Sequence, residues 1–313
     1  MSLFSGKRPQ LKTPEQIALM REAGLVVART LEMLRDAVAP GVTTGELDAL
    51  AEERIISSGA TPSFKGYLGF PASICTSVND EVVHGIPGDR KLAEGDLISI
   101  DCGAIVDGWH GDAAITVGVG EVAPELVELT RVCEEALWRG LAAAVAGGKL
   151  GDVSAAVQGL VEAASAPTGA VPGGAGVDAG SNMGANVGPI AGSGGSATRG
   201  RRRRAGYGIV RDYVGHGIGT EMHQDPNVPN VGKAGRGLRL TSGLAIAVEP
   251  MLTMGDPRTA VLEDDWTVVT MDGSYAAHAE HTVALTTEGP WVLTALDGGV
   301  AKLAQLGVPC GAR

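Results

Sequence analysis

The segment "LISIDCGAIVDGWHGDAAITV", residues 97–117, alternates apolar residues with small or polar ones on both sides of a central "VDG". This alternation is typical of two half-buried strands, and the "VDG" at 106–108 predicts a tight turn that joins them into a hairpin. A hairpin centred there would place Asp101 directly opposite Asp112 on one face, with their Cβ atoms roughly 4.5–5.5 Å apart. Two like charges in that arrangement destabilise a sheet unless something neutralises them.

The composition of the whole chain limits the class of protein. Its 313 residues are 44% hydrophobic, which is enough for one large core or two modest ones. We expect a cytoplasmic protein, because no stretch reaches about 18 unbroken apolar residues and no signal-peptide pattern opens the chain. The four cysteines form no CxxC pair, so neither a disulfide framework nor a structural zinc site is indicated. A net charge of −11 argues against a general nucleic-acid binder.

Residues 166–206 differ from the rest of the chain, because they are rich in Gly, Ala, Ser and Pro and nearly free of large apolar side chains. Such a segment buries too little surface to offset the entropy of ordering it, so we expect a flexible insertion. It ends in the basic run "RGRRRR", Arg199 to Arg204. Two interpretations of this run stay open: a phosphate-binding element, or a solvated charge run without a partner.

Outside the insertion, the sequence contains an internal repeat. Segments of the first half recur in the same order in the second: the helical pattern 14–38 in 124–146, "AVAPGVTTGELDAL" (37–50) in "AVAGGKLGDVSAAV" (144–157), "VHGI" (83–86) in "GHGI" (215–218), "GDLISID" (95–101) in "GLAIAVE" (243–249), and, more weakly, "GDAAITV" (111–117) in "AEHTVAL" (279–285). The repeat predicts two similar halves, about 14–120 and 124–296, each with two helices followed by strands.

The repeat gives each aspartate of the hairpin an acidic partner, Glu249 for Asp101 and Glu280 for Asp112. A single such pair is more often two solvent-facing carboxylates than a binding site. Two pairs related by a pseudo-twofold axis would instead bring four carboxylates together, and only cations can stabilise that arrangement. The sequence therefore predicts a site for a pair of divalent metal ions.

Two histidines lie among glycines in "YVGHGIGTEMHQDPNVPN", residues 213–230. A buried histidine is more often a structural hydrogen-bonding group than a ligand. Beside a carboxylate-rich site, however, His216 and His223 favour one metal ligand and one catalytic group.

Several motifs resemble those of the type I methionine aminopeptidases, a pita-bread metallopeptidase family: "SICTSVNDEVVHGIPG", "DCGAIVDGWHGDAA", "GHGIGTEMH", "VEPM" and "EDDWTVVTMDGSYAAHAEHT". The resemblance covers essentially the whole chain except the insertion and the last few residues. It implies an α/β (α+β) pita-bread fold, a curved pseudo-twofold antiparallel sheet backed by helices, in a single catalytic domain of residues 1–313. Glu280 follows Glu249 by only 31 positions, which leaves no room for the helical insert of type II enzymes.

The resemblance also implies a metal-dependent activity, the removal of the N-terminal methionine from nascent proteins and peptides with a small second residue. The matching residues would hold two divalent ions, with Asp101 on one ion, Asp112 and Glu280 bridging both, and His216 and Glu249 on the other. This oxygen-rich set suits Mn, Fe(II) or Co better than a structural zinc site, although Co, Mn, Fe(II) and Zn all stay open.

The resemblance also implies catalytic roles for three residues of this chain. His223 would hydrogen-bond the carbonyl oxygen of the scissile bond, and His84 would contact its nitrogen. Glu249 would act as the proton shuttle of the reaction. A loop histidine that caps backbone groups is the alternative interpretation of His84.

The side-chain pocket implied by the resemblance consists of five residues: Tyr67, Phe70, Cys75, Met222 and Trp266. Taken singly, each would more often be an ordinary core residue. Two positions depart from the family pattern. Met222 stands where phenylalanine is common, and His278 stands where glutamine is frequent, two residues before Glu280 and so on the same face of a strand.

The implied partners are nascent polypeptide N-termini, and we expect a monomer without membrane contact. For such substrates, the run from Arg199 to Arg204 would hold the protein on ribosomal RNA near the exit tunnel.

Two other classes of protein stay open. Xaa-Pro aminopeptidases and prolidases share the metal set but carry a large extra N-terminal domain, whereas 100 residues precede Asp101 here. A non-enzymatic pita-bread binding protein should have lost ligands, whereas all five are present.

Overall fold

The computed structural model describes residues 9–166 and 206–312. Apart from its two end residues, the predicted insertion lies outside this part of the chain, together with Arg199 to Arg204. The α-helices are α1 (Pro14–Ala37), α2 (Thr44–Ser57), α3 (Pro124–Ala143), α4 (Leu150–Ala164) and α5 (Val300–Gln305). The strands are β1 (Thr61–Pro62), β2 (Ile74–Val78), β3 (Glu81–Val83), β4 (Leu97–Val106), β5 (Trp109–Gly118), β6 (Gly208–Ile209), β7 (Gly215–Gly217), β8 (Gln224–Val228), β9 (Ala245–Val248), β10 (Met251–Thr253), β11 (Thr259–Val261), β12 (Val268–Thr270), β13 (Ala276–His278), β14 (Glu280–Leu285) and β15 (Pro290–Val292).

The four long helices follow the repeat predicted from the sequence. A capping box starts α1, since the Thr13 side chain accepts from the Gln16 backbone N–H and the Gln16 side chain accepts in return. Thr43 and Glu46 form the predicted capping box of α2. α3 ends at Ala143, before the predicted end at 146, because the glycines that follow favour a turn. Within residues 9–166 and 206–312, no helix is both long enough and apolar enough to cross a bilayer.

The main sheet joins the two halves at its centre. Its strands run in the order β1-β4-β5-β14-β9-β7-β8, with β2 also paired to β4 and β15 to β14. The hairpin β4–β5 of the first half meets β14–β9 of the second half where β5 pairs with β14, and these pairings are antiparallel. The predicted pseudo-twofold antiparallel sheet is therefore confirmed.

The register of the β4–β5 hairpin differs from the prediction. Asp101 pairs with Ala114, and Asp112 pairs with Gly103, so the two aspartates are diagonal neighbours rather than directly opposite. The turn consists of Asp107 and Gly108 alone, both with left-handed φ values of 49° and 79°, as a two-residue hairpin turn requires. This moves the register by two residues, and an even shift keeps both carboxylates on the same face.

The helices cover the face of the sheet opposite to the one that carries Asp101 and Asp112. Ile100, Cys102 and Ala113 alternate with the aspartates along β4 and β5, and they belong to the buried cluster under α1 and α2. A second buried cluster lies under α3 and α4. Because one face of the strands supports these cores, the opposite face is left to present the carboxylates.

Candidate metal centre

Five strand segments bring the proposed ligands together. Asp101 lies on β4, Asp112 on β5, His216 on β7, Glu249 directly after β9, and Glu280 at the start of β14. Ligand atoms of Asp112, His216 and Glu280 all lie within 4.8 Å of one another. The Nε2 atom of His216 is 4.0 Å from Asp112 Oδ2 and 3.6 Å from Glu249 Oε1.

The backbone fixes the orientation of the His216 ring. Its Nδ1 lies 3.0 Å from the carbonyl oxygen of Gly217, to which it donates a hydrogen bond. The proton is then on Nδ1, and Nε2 turns a free lone pair towards Asp112 and Glu249. Burial lowers the pKa of His216 to about 4, so the ring is neutral, as a metal ligand must be.

The four carboxyl groups are buried close together, so that burial and mutual repulsion both act on their pKa values. Burial raises the pKa of Asp101 to about 7. Burial, followed by repulsion from neighbouring carboxylates, raises the pKa values of Asp112, Glu249 and Glu280 well above the usual range. Without a cation, the group therefore has to retain protons at neutral pH.

Several oxygen atoms of this group have no hydrogen-bond partner: Asp101 Oδ1, Asp112 Oδ1 and Glu280 Oε1. Unpaired buried carboxylate oxygens are rare in folded proteins because their desolvation is not compensated. Oxygen donors with one imidazole are a suitable ligand set for divalent cations such as Mn, Fe(II) or Co. The residues present therefore fit a divalent metal site.

His223 and His84 lie beside the carboxylates. The His223 ring centroid is 4.3 Å from that of His216, and its Nδ1 is 2.8 Å from the Tyr67 hydroxyl. Burial, followed by the nearby His216, lowers the pKa of His223 to about 2. His84 has a left-handed φ of 60° and packs edge-on against Tyr213 and Trp266. Burial lowers the pKa of His84 to about 4.

An apolar cavity of about 460 Å³ opens onto the carboxylates. It is lined by all five predicted pocket residues, Tyr67, Phe70, Cys75, Met222 and Trp266, together with His84, His223 and the five proposed ligands. The Phe70 and Trp266 rings meet edge-on with centroids 5.1 Å apart. Met222 is buried in this wall, so the departure from phenylalanine leaves a flexible thioether in contact with the cavity.

Sequence reasoning missed other residues that line the cavity: Phe64, Leu68, Val83, Asp212, Tyr213, Val214, Asn227 and Met251. Phe64 and Leu68 flank predicted pocket residues in the segment "SFKGYLGF", and this proximity was an available signal. Asn227 carries no such signal, because only the pairing of β8 with β7 brings it to the site.

His278 is close to Glu249 but is not among the residues that line the cavity. Its side chain is buried, and its Nε2 has no hydrogen-bond partner. This atom is 3.8 Å from Glu249 Oε2.

Comparison with known proteins identifies the family. The family model described as metallopeptidase family M24 matches residues 18–287, which include every proposed ligand. The chain belongs to metallopeptidase family M24. Membership implies the use of divalent metal, in agreement with the unpaired carboxylates.

Among M24 relatives, methionine aminopeptidase 1 of Mycobacterium tuberculosis is 47% identical over 94% of this chain and 98% of its own length. Methionine aminopeptidase of Clostridium acetobutylicum is 46% identical over 91% of this chain and 98% of its own length. The crystal structure of the Thermotoga maritima methionine aminopeptidase has a TM-score of 0.78, with 38% identity over 92% of this chain and 100% of that chain. These matches confirm the resemblance and the pita-bread fold predicted from the sequence.

Proposed function

We propose that this M24 metallopeptidase removes the N-terminal methionine from nascent proteins and peptides, with a preference for a small second residue. The observation that carries the proposal is the presence of the buried carboxylate group in the lining of an apolar cavity. Such a cavity suits an unbranched thioether side chain, and the adjoining ligands suit the metal ions of a peptidase.

The proposed metal centre contains two divalent ions. Asp101 would bind one ion, Asp112 and Glu280 would bridge the two, and His216 with Glu249 would complete the other. Mn, Fe(II) or Co is the preferred identity for this oxygen-rich set, with Zn as the alternative. When bound, such ions polarise a carbonyl group and make a nucleophile available from water at neutral pH.

The protein's own groups then orient the peptide and move protons. If the Tyr67 hydroxyl donates to Nδ1 of His223, the neutral ring carries its proton on Nε2 and can donate it to the substrate carbonyl oxygen. His84 contacts the nitrogen of the scissile bond, and its neutral ring can accept or donate there. Glu249 is the proposed proton carrier and would take up a proton during attack.

The proposed catalytic unit is one domain, built from the halves at about 14–120 and 124–296. We place it in the cytoplasm as a monomer that acts on the N-termini of new polypeptides. The run from Arg199 to Arg204, outside the described residues, would add contact with ribosomal RNA.

A peptide assay tests the proposed function. Metal-loaded protein is incubated with a Met-Gly-Xaa peptide, an Xaa-Pro peptide and a control peptide, and the released amino acid is measured. We expect methionine release alone. Release only from the Xaa-Pro peptide would favour a prolidase-like activity, and no release at all would favour a binding protein.

Replacement of a bridging carboxylate tests the metal assignment. We expect Asp112→Asn and Glu280→Gln to abolish turnover and to lower metal content measured by mass spectrometry. The apoprotein should stay folded by circular dichroism, because each amide has the shape of the carboxylate and carries no buried charge. Variants that keep two metal ions and full activity would contradict the bridging roles.

A further inference from the structure

The imidazole of His278 is a buried polar group without a partner. His278 is 2% exposed, and its Nε2 makes no hydrogen bond. Thr116 fixes the backbone at this point, since its Oγ1 donates to the His278 carbonyl oxygen at 2.7 Å and accepts from the His278 N–H at 2.9 Å. The strand therefore fixes the backbone of His278 while the Nε2 atom of its buried ring remains unpaired, which calls for an explanation in a folded protein.

Glu249 lies between two imidazoles. Its Oε1 is 3.6 Å from Nε2 of His216, and its Oε2 is 3.8 Å from Nε2 of His278. His216 lines the cavity, as Glu249 does, whereas His278 does not. The two oxygens of Glu249 thus face different surroundings, and a movement of about 1 Å would bring His278 to hydrogen-bond distance from Oε2.

We propose that His278 is a positioning residue of the metal centre, whose Nε2–H donates a hydrogen bond to Glu249 Oε2. This bond restricts Glu249 to offering Oε1, on the His216 side, to the metal. It also fixes the rotamer of Glu249, so that Oε1 is preorganised beside His216. The inference rests on the proposed function, because that function assigns Glu249 to the metal.

Two substitutions separate the hydrogen bond from packing. His278→Leu removes the donor at similar volume, and His278→Gln keeps a donor of similar reach. Partners that orient metal ligands typically contribute 10–100-fold to metal affinity. We therefore expect His278→Leu to weaken Co²⁺ binding to the apoprotein by about 10–100-fold in a calorimetric titration. His278→Gln should recover most of this loss.

The visible absorption spectrum of the Co²⁺ form provides a second readout, because it reports the ligand geometry and not the fold. It should change in His278→Leu and return towards the wild-type spectrum in His278→Gln. If His278→Leu does not fold, His278→Asn takes its place, because its amide is too short to reach Glu249 and should give the same loss. Unchanged Co²⁺ affinity and spectrum in the variant without a donor would overturn the proposal.

A double-mutant cycle tests whether His278 acts through Glu249. In a Glu249→Ala background, His278→Leu should cause no further loss of Co²⁺ affinity. A further loss there would mean that His278 binds the metal itself, which also overturns the positioning role. If wild-type protein binds Co²⁺ but releases no methionine, the proposed function fails while this cycle still reports on His278.

Discussion

His223 and His216 are neighbouring rings with different hydrogen-bond partners, and this difference predicts different roles. The Nδ1 of His223 contacts a tyrosine hydroxyl, whereas the Nδ1 of His216 contacts a backbone carbonyl and its Nε2 faces two carboxylates. We expect His223→Ala to keep its metal content and to lose on the order of 10²–10³ in kcat, as removal of an oxyanion donor does. His216→Ala should lose metal.

Metal analysis of the two variants side by side, with kcat measured on a Met-Gly-Xaa peptide, checks this prediction. Tyr67→Phe is the matched control, because it removes only the hydroxyl that orients His223. It should lower kcat less than His223→Ala and leave the metal content unchanged. Equal metal loss in His223→Ala and His216→Ala would mean that His223 is a ligand.

The protons held by the carboxylates predict how stability depends on pH. In the folded apoprotein the pKa of Asp101 is raised to about 7 and that of Asp112 is raised well above its usual range, while unfolded carboxyl groups titrate near pH 4. The unfolded chain then binds fewer protons at neutral pH, so the free energy of unfolding falls as pH rises. We expect the Tm of EDTA-treated protein to fall as the pH rises through about 7, the folded pKa of Asp101, which differential scanning calorimetry can measure.

Added Mn²⁺ should raise the Tm more at pH 8.5 than at pH 7, because protons compete with the metal for the same oxygens. Below about pH 6.5 the buried histidines act in the opposite direction: their pKa values are lowered, so the unfolded chain binds more protons and acid is destabilising. Asp112→Asn is the control and should show a smaller fall, because it removes one of the buried carboxyl groups whose pKa is raised. A Tm that rises across this range would refute the prediction.

Much of the site could be predicted at the level of residues. Asp101 and Asp112 alternate with core residues on two strands, and the repeat locates Glu249 and Glu280, so local patterns contain this information. Asn227 could not be found in the same way, because its place in the cavity depends on a strand pairing between segments that have no apolar alternation. The unpaired Nε2 of His278 likewise became visible only in three dimensions.

At the scale of elements, α1 approaches the sheet through two glycines. A Cβ atom on Gly111 of β5 would lie 2.7 Å from the backbone nitrogen of Gly24, and one on Gly24 would overlap the carbonyl oxygen of Leu293. Both contacted atoms belong to the backbone, so neither can move aside as the end of a flexible side chain could. The close helix–sheet contact beside Asp112 therefore depends on the absence of side chains at these positions.

We expect Gly24→Ala to lower the free energy of unfolding by about 1–3 kcal/mol, because overpacking forces α1 away from the backbone at Leu293. Gly159→Ala is the matched control, since this glycine is exposed in α4 and a Cβ there would meet nothing within 4 Å. The control should gain roughly 0.5–1 kcal/mol from its higher helix propensity. Urea unfolding of both variants measures the difference, and two changes of the same sign would contradict the packing explanation.

Prediction of the elements succeeded where the signal is local. The capping box of Thr43 and Glu46 lies within one turn of helix, so the start of α2 could be predicted from sequence. The register of β4–β5 was wrong by two residues because the turn conformation of Asp107 was not recognised; with it, the two-residue turn fixes every pair in the hairpin. The meeting of β5 with β14 joins segments more than 160 residues apart, and only the repeat indicated it.

At the scale of the whole molecule, the two borders of the predicted insertion lie side by side. The backbone N–H of Tyr207 donates to Ser165 Oγ at 3.0 Å, and a Cβ on Gly206 would be 3.4 Å from Ser165 Cβ. Joining Ala166 to Gly206 therefore requires little rearrangement, and loop closure depends only weakly on length. We expect deletion of residues 167–205 to leave kcat/KM on a Met-Gly-Xaa peptide within a few-fold of wild type.

The same deletion tests the proposed contact with ribosomal RNA. In co-sedimentation with ribosomes, the full chain should bind more tightly than the deletion variant and should lose affinity steeply as salt increases. A chain in which the five arginines of 199–204 are replaced by serine is the control that keeps the length. Identical binding by all three proteins would exclude the contact, and a large loss of peptidase activity in the deletion variant would contradict a peripheral insertion.

The side-by-side position of Ser165 and Tyr207 has a practical consequence. Asp101 and Asp112 precede this point in the chain, whereas His216, Glu249 and Glu280 follow it, and the pairing of β5 with β14 connects the two sides. Two separately expressed fragments divided within residues 167–205 would each hold an incomplete ligand set. Their reassociation would rebuild the centre, so peptidase activity would report that two polypeptides fused to the fragments had met.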